Sequence, residues 1–173
     1  MFLDLCNKRR SIRKYTDKKI CDEDLEYILK CALTSPTARN LDTKRFVVVR
    51  DKEMLKKLSQ FKDYGADFLK DADAAVVVLV NKEMAPETYY QDGCIAATFI
   101  QLACEDIGIS SCWANVRSAK DANGEYGYDV IKRLLNVPSE YHPECIIALG
   151  YKNEEPFNKK ELDFNEHVHF NKF

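Results

Sequence analysis

From Pro86 to Ile107 the chain carries one long helical pattern whose middle is apolar on nearly every side. The stretch Gly93-Cys94-Ile95-Ala96-Ala97-Thr98-Phe99-Ile100-Gln101-Leu102-Ala103 has no broad polar stripe. A helix of this kind must be covered all round. A chain of 173 residues reads as one domain, 1–173, large enough for a real core. In a domain of that size, part of the cover is expected from a second subunit. Gly108 follows the pattern where a C-cap belongs.

The other elements arrange themselves around this helix. Ala74 to Val80 is the longest uninterrupted apolar run, and it has the length of a strand buried on both faces. Phe46 to Arg50, Ser111 to Val116 and Cys145 to Gly150 supply three further strands. Asp22 can cap a helix through Thr34, with Leu25, Ile28, Leu29 and Ala32 on one face and Pro36 ending it. Asp51 starts a polar helix carrying Met54, Leu55 and Leu58, and Tyr128 to Leu135 forms another. Pro138 and Pro143 are expected to bracket the loop before the last strand. No repeat or Gly/Ser linker divides the chain. After Gly150 it turns polar and aromatic, and the tail 153–173 lacks a core of its own. It is expected to pack on a partner subunit.

Charge excludes some functions. A net charge of -2 gives no global case for nucleic acid or an anionic membrane. No stretch is long enough to span a bilayer, and Met1-Phe2-Leu3-Asp4 lacks the order of a signal peptide. A cytoplasmic protein is the expectation. The seven cysteines include no Cys-x-x-Cys pair, which argues against a zinc knuckle, a cluster or a dithiol motif within the chain. Most have apolar neighbours and read as small buried hydrophobes in a reducing compartment. His142, His167 and His169 have no ligand spacing.

Against that nearly neutral background, Arg9, Arg10, Ser11 and Arg13 stand out, followed by Tyr15. Guanidinium is a planar fork of donors that suits a phosphate bidentately and stays charged at any working pH. The run is a candidate clamp for the phosphate of a small molecule, the alternative being a solvated basic turn. A second candidate stretch is Ser35 to Asn40. There Asn40 could also serve simply as a turn residue.

The sequence resembles the FMN-dependent nitroreductase family. The resemblance rests on Arg9-Arg10-Ser11-Ile12-Arg13-Lys14-Tyr15 and on Ser35-Pro36-Thr37-Ala38-Arg39-Asn40 leading into Arg45-Phe46-Val47-Val48-Val49. It continues through Asp73-Ala74-Ala75-Val76-Val77, Glu105-Asp106-Ile107-Gly108-Ile109 and Ser110-Ser111-Cys112-Trp113. Leu135-Asn136-Val137-Pro138 and Ala148-Leu149-Gly150-Tyr151 complete it, in the family's order and over nearly the whole chain.

The resemblance implies an α+β fold, with a mostly antiparallel sheet wrapped by helices. It implies an intertwined homodimer with FMN at the interface and a C-terminal tail that adds a strand to the partner's sheet. Carried over by position, Arg9, Arg10, Ser11 and Arg13 hold the FMN phosphate and ribityl chain. Ser35, Pro36 and Thr37 lie along the flavin ring from the partner chain, Asn40 bonds near its edge, and Ser110 and Ser111 approach its other side. Lys159 or Lys160 completes the phosphate site. The implied activity is ping-pong electron transfer from NAD(P)H through FMN to a nitroaromatic, a quinone or a similar acceptor. The alternatives are a same-fold dehalogenase or flavin-processing enzyme, and a non-enzymatic flavin-binding module. A dehalogenase would carry a lid at Asn81 to Tyr90 or Arg117 to Tyr126, and both segments are short. Where the family often has glutamine, proline and tryptophan, this chain has Asp42, Thr43 and Lys44.

Overall fold

The computed structural model describes residues 1–173. In chain order the elements are α1 (Phe2–Lys8), α2 (Asp22–Leu33), β1 (Lys44–Val49), α3 (Lys52–Leu58) and β2 (Ala74–Asn81). They continue with α4 (Tyr89–Asp106), β3 (Ser110–Asn115), α5 (Gly127–Leu135), β4 (Tyr141–Gly150) and α6 (Phe164–His167). The four strands form one sheet in the order β1-β2-β4-β3, antiparallel throughout. The fold is α+β.

All eight residues of β2 are buried, and their alternation divides two cores. Ala75, Val77 and Leu79 face a layer made by α3, α5 and Phe61. Ala74, Val76 and Val78 face α2 and α4. Each fully covered valine contributes roughly 1.5–3 kcal/mol, so the middle of the sheet anchors both layers.

Two helix termini follow the sequence closely. The Asp51 carboxylate accepts the Met54 amide at 2.8 Å and caps α3. Beyond α4, Gly108 has φ +75°. It donates to the Glu105 carbonyl at 3.2 Å while the Ile109 amide reaches the Cys104 carbonyl at 2.8 Å. These are the paired bonds of a Schellman cap, which needs a left-handed residue at this position.

Other boundaries differ from the sequence reading. Cys21, not Asp22, occupies the N-cap of α2, and Asp22 is its first helical residue. Helix α4 begins at Tyr89, because residues 85–88 close a turn in which the Thr88 amide bonds Ala85. Strand β4 begins at Tyr141, so Pro143 lies inside it and not in the preceding loop. There the register against β2 shifts between Val78 and Leu79, and Glu144 is the extra residue. β3 pairs with β4 only from Cys145 onward, so the missing proline N–H faces no partner strand. The cysteines are also less uniformly buried than expected. Cys104, Cys112 and Cys145 are buried, Cys6, Cys31 and Cys94 are half-buried, and Cys21 is exposed at its cap.

The chain covers α4 on one side only. Ala96, Ala97, Ile100 and Cys104 are buried, whereas Ile95, Phe99 and Leu102 are half-covered and Thr98 is open. Phe99 and Leu102 line an apolar groove with Phe2, Leu5 and Tyr27. The tail likewise exposes Phe157, Phe164, Phe170 and Phe173. It forms no strand within its own chain, only the single turn of α6 capped by Asp163.

Candidate functional site

The segment after α1 is stitched along the edge of the sheet. The Ile12 amide donates to the Ser111 carbonyl at 3.1 Å, and the Thr16 amide to Tyr151 at 2.9 Å. Ser11 and Ser111 thereby form a parallel bridge. Ile12 and Tyr15 are buried and act as anchors, and the Tyr15 hydroxyl donates to the Ile12 carbonyl at 2.5 Å. Two stretches separated by a hundred residues in sequence, Arg9 to Arg13 and Ser110 to Ser111, are thus brought side by side.

The tail adds a third. The Lys159 ammonium donates to the Cys6 carbonyl at 2.6 Å. Desolvation, followed by the charges of Arg10 and Arg9, holds it below its ordinary lysine range. Arg9, Arg10 and Lys159 therefore share one neighbourhood, and none of them has a carboxylate within salt-bridge distance. Arg10 donates only to the carbonyls of Asn7 and Arg9. The Glu105 carboxylate acts on Lys159 from beyond ion-pair distance, so the group keeps a net positive charge that a bound anion would offset.

Arg13 stands apart. Its guanidinium lies over the Phe68 ring at 6.0 Å and lines a cleft with Glu154, which accepts the Arg13 amide at 2.5 Å. Lys160 is exposed and makes no hydrogen bond or ion pair, so the geometry favours Lys159 as the tail cation.

The Ser35–Asn40 segment leaves the end of α2 and is held from below. Ser35 is buried, and its hydroxyl donates to the Ala32 carbonyl at 2.7 Å. Thr37 donates to the Leu41 carbonyl at 2.8 Å. Arg39 and Asn40 both adopt left-handed backbone, at φ 54° and 55°. Asparagine tolerates this region and arginine pays for it. Asn40 is thus a turn residue in its backbone, with a side chain left exposed. Beside the turn, Ala38, Arg39 and Leu41 line a cavity of about 200 Å³ with Met84, Pro86 and Thr88. Pro36 is exposed. No hydrogen bond or ion pair joins this segment to Arg9, Arg10 or Ser111 within the chain.

Two buried charged residues, Asp92 and Glu144, escaped the sequence reading as site elements, and a third, Lys44, entered it only as a departure from the family pattern. Asp92 is only 2% exposed and accepts from the Ala38 amide at 3.0 Å and the Thr43 hydroxyl at 2.7 Å. Its signal was visible, since it is the one acid between Glu87 and Glu105 on an apolar helix. Lys44 is also buried, behind Ser35. Glu144, the bulge residue, is buried with Oε2 unpartnered, and burial pushes its carboxyl up. Trp113 packs against the α2/α4 core. His142 lies in β4 and not in a loop, against Tyr89 and Tyr128.

Comparisons with known proteins agree with this fold. The sequence profile described as the Nitroreductase family matches residues 7–70 and 58–151. A protein of Archaeoglobus fulgidus, provisionally named NADH dehydrogenase/NAD(P)H nitroreductase, is 36% identical over 99% of this chain and 98% of its own length. An iodotyrosine deiodinase of Thermotoga neapolitana is 27% identical over 89% of this chain and 90% of its own. Among solved structures, an FMN-dependent nitroreductase from Clostridium difficile superposes with a TM-score of 0.92 at 43% identity, covering 99% of both chains.

Proposed function

This chain belongs to the nitroreductase family, and from that premise we propose that it is an FMN-dependent oxidoreductase fed by NAD(P)H. The observation that carries this reading is the uncompensated cation group of Arg9, Arg10 and Lys159 beside the Ser11–Ser111 bridge. It fits a monophosphate in charge, and the serines beside it offer short donors. FMN held there would supply the hydride-accepting and electron-transferring chemistry between NAD(P)H and an electron-poor acceptor.

The residues of this chain bind and orient. Arg9, Arg10 and Lys159 take the phosphate, with Ser11 next to them. Arg13 is proposed for the same cofactor by the resemblance alone, since its guanidinium lies over Phe68 in a separate cleft. Ser110 is half-buried at the start of β3 and is the candidate contact there, while Ser111 is buried and acts through its bridge to Ser11. Ser35, Pro36, Thr37 and Asn40 have no polar link to this group within the chain, which supports their service in a partner's site. The uncovered α4 face and the exposed tail aromatics support the same homodimer, with residues 153–173 packed on the other subunit. No helix is long and apolar enough to cross a membrane, and a cytoplasmic enzyme is the corresponding proposal. The acceptor is a nitroaromatic, a quinone or a similar molecule, taken in ping-pong fashion.

The deiodinase relative favours a second reading, reductive dehalogenation at the same site. The segments where a lid would stand are short turns here, with Ala85–Thr88 in one and the Lys120–Tyr126 bridge in the other. Both features favour the simple reductase.

The test is direct. Acid-released pigment should have the mass of FMN, and NADH or NADPH should bleach the anaerobic protein. Reoxidation should then follow with nitroaromatics and quinones. FAD, or no flavin after reconstitution, refutes the reading, and selective turnover of halogenated phenols would move it to the second one.

A further inference from the structure

Behind the Ser35–Asn40 segment lie two charged side chains of opposite sign, each more than nine-tenths buried: Lys44 at 7% and Asp92 at 2% exposure. They do not pair with each other within 4.0 Å. Instead each grips the segment. The Lys44 ammonium donates to the Ser35 carbonyl at 2.5 Å, the Ser35 hydroxyl at 2.7 Å and the Leu33 carbonyl at 3.4 Å. The first two are in the segment and the third is the last residue of α2. Asp92, from the first turn of α4, accepts the Ala38 amide at 3.0 Å. Its other oxygen takes the Thr43 hydroxyl at 2.7 Å, next to Lys44 in sequence. The segment is therefore clasped near its start by a cation and near its middle by an anion, both fixed in regular elements.

This is costly construction. A buried ammonium and a buried carboxylate each give up hydration that an apolar pair would not. Burial lowers the Lys44 proton affinity, while the charges of Asp92 and Asp42 work against that fall. Stability alone is better served by packed apolar side chains, so the pair invites a functional explanation. One is at hand. Arg39 and Asn40 hold left-handed backbone, and a strained turn keeps its shape only when its surroundings over-determine it.

We propose that Lys44 and Asp92 are positioning residues for the flavin site. They clasp the Ser35–Asn40 segment in its binding geometry. The inference rests on the flavin reading above. It assigns Thr43 and Lys44 a shared role, because both residues enter the same clasp.

The test compares Lys44→Met, Lys44→Arg, Asp92→Asn and the isosteric Thr43→Val as flavin-loaded proteins. Lys44→Met should raise the FMN dissociation constant at least tenfold. Lys44→Arg, which keeps a cation able to reach the Ser35 carbonyl, should restore most of that affinity. Asp92→Asn and Thr43→Val should weaken FMN several-fold and speed hydrogen exchange at the Ala38 amide in the apoprotein. Wild-type FMN affinity in Lys44→Met overturns the proposal. If that variant does not fold, unchanged affinity and Ala38 exchange in Thr43→Val overturn it equally. A wild-type chain that takes up no FMN overturns the functional reading as well, so the two failures are distinguishable.

Discussion

Replacing Gly150 by alanine puts the argument about the arginine segment under a steric test. A Cβ at Gly150 would lie 2.6 Å from Tyr15 Cδ1, 2.8 Å from Cγ and 3.1 Å from Cβ. Ordinary contact needs roughly 1 Å more than the shortest of these. The Tyr15 ring cannot simply swing aside, since it is 8% exposed and its hydroxyl is held by the Ile12 carbonyl. The backbone on either side is tied to Ser111 and Tyr151. Relief therefore requires the whole Arg9–Tyr15 segment to lift from the sheet edge. Overpacking of this kind costs about 1–3 kcal/mol, and loss of the tyrosine bond adds about 1 kcal/mol. The opposing gain, from a stiffer unfolded chain, is only about 0.4–1 kcal/mol. The steric cost wins, and Gly150→Ala should lower the melting temperature of the apoprotein by about 2–14 °C. FMN affinity, read by flavin fluorescence titration, should fall in the same variant, and Tyr15→Leu should recover part of both losses. An unchanged or raised melting temperature refutes the steric reasoning. A lowered one with normal FMN affinity refutes the link from Tyr15 to the arginines.

Other expectations follow from single groups. Arg10→Ala should weaken FMN by about 1.5–3 kcal/mol, the scale of a lost charge-assisted hydrogen bond, with the apoprotein melting temperature unchanged; equal affinity would restore the solvated-turn reading. His142 is pushed down to about 4 from 6.5 by burial and by Lys132, Lys82 and Arg117. The unfolded chain then takes the proton first, so stability should fall by about 3 kcal/mol as pH drops from 6.5 to 4, and His142→Gln should flatten denaturant midpoints across that window. Glu144 has the opposite sign. Its carboxyl is raised by burial, the folded state holds the proton longer, and stability declines as pH rises above the ordinary glutamate value. Glu144→Gln should raise the melting temperature at pH 8 and leave it near that of the wild type at pH 4. Asp73 is buried and accepts the Ile20 amide at 2.8 Å while pairing Lys19 at 2.9 Å, so Asp73→Ala should cost about 2–3 kcal/mol in chemical denaturation.

Local signals in the sequence marked much of this fold. The uninterrupted run at Ala74 to Val80 announced the central strand, and Asp51 and Gly108 marked helix ends because capping depends on nearby residues. What escaped depends on distant neighbours. Pro143 reads as a loop residue until β4 is seen to have no β3 partner there. The strand order β1-β2-β4-β3 leaves no local trace. At the candidate site the arginines and serines were legible as residue types, but their convergence depends on the Ser11–Ser111 bridge and on Lys159 returning to Cys6. Lys44 was visible only as a departure from pattern. Its meaning lies in carbonyls nine and eleven positions away in sequence, brought close by the turn after α2.

The unpaired cations and the uncovered apolar surfaces are demands of one kind, each left unmet by a single chain. Arg9, Arg10 and Lys159 carry like charge without an ion-pair partner, Phe99 and Leu102 are only half-covered, and the tail phenylalanines are exposed. An anion meets the first demand and a second subunit the second. Because the Ser35–Asn40 segment has no polar link to the cations of its own chain, the proposed site is complete only when both demands are met together. Ligand and partner then act on folding through the same linkage, each stabilising the native state by an amount that grows with the logarithm of its concentration over its dissociation constant. Apoprotein stability should therefore rise with protein concentration, and FMN should steepen dimerisation as well as raise the melting temperature. A chain whose stability responds to FMN but not to its own concentration would place both half-sites within one subunit.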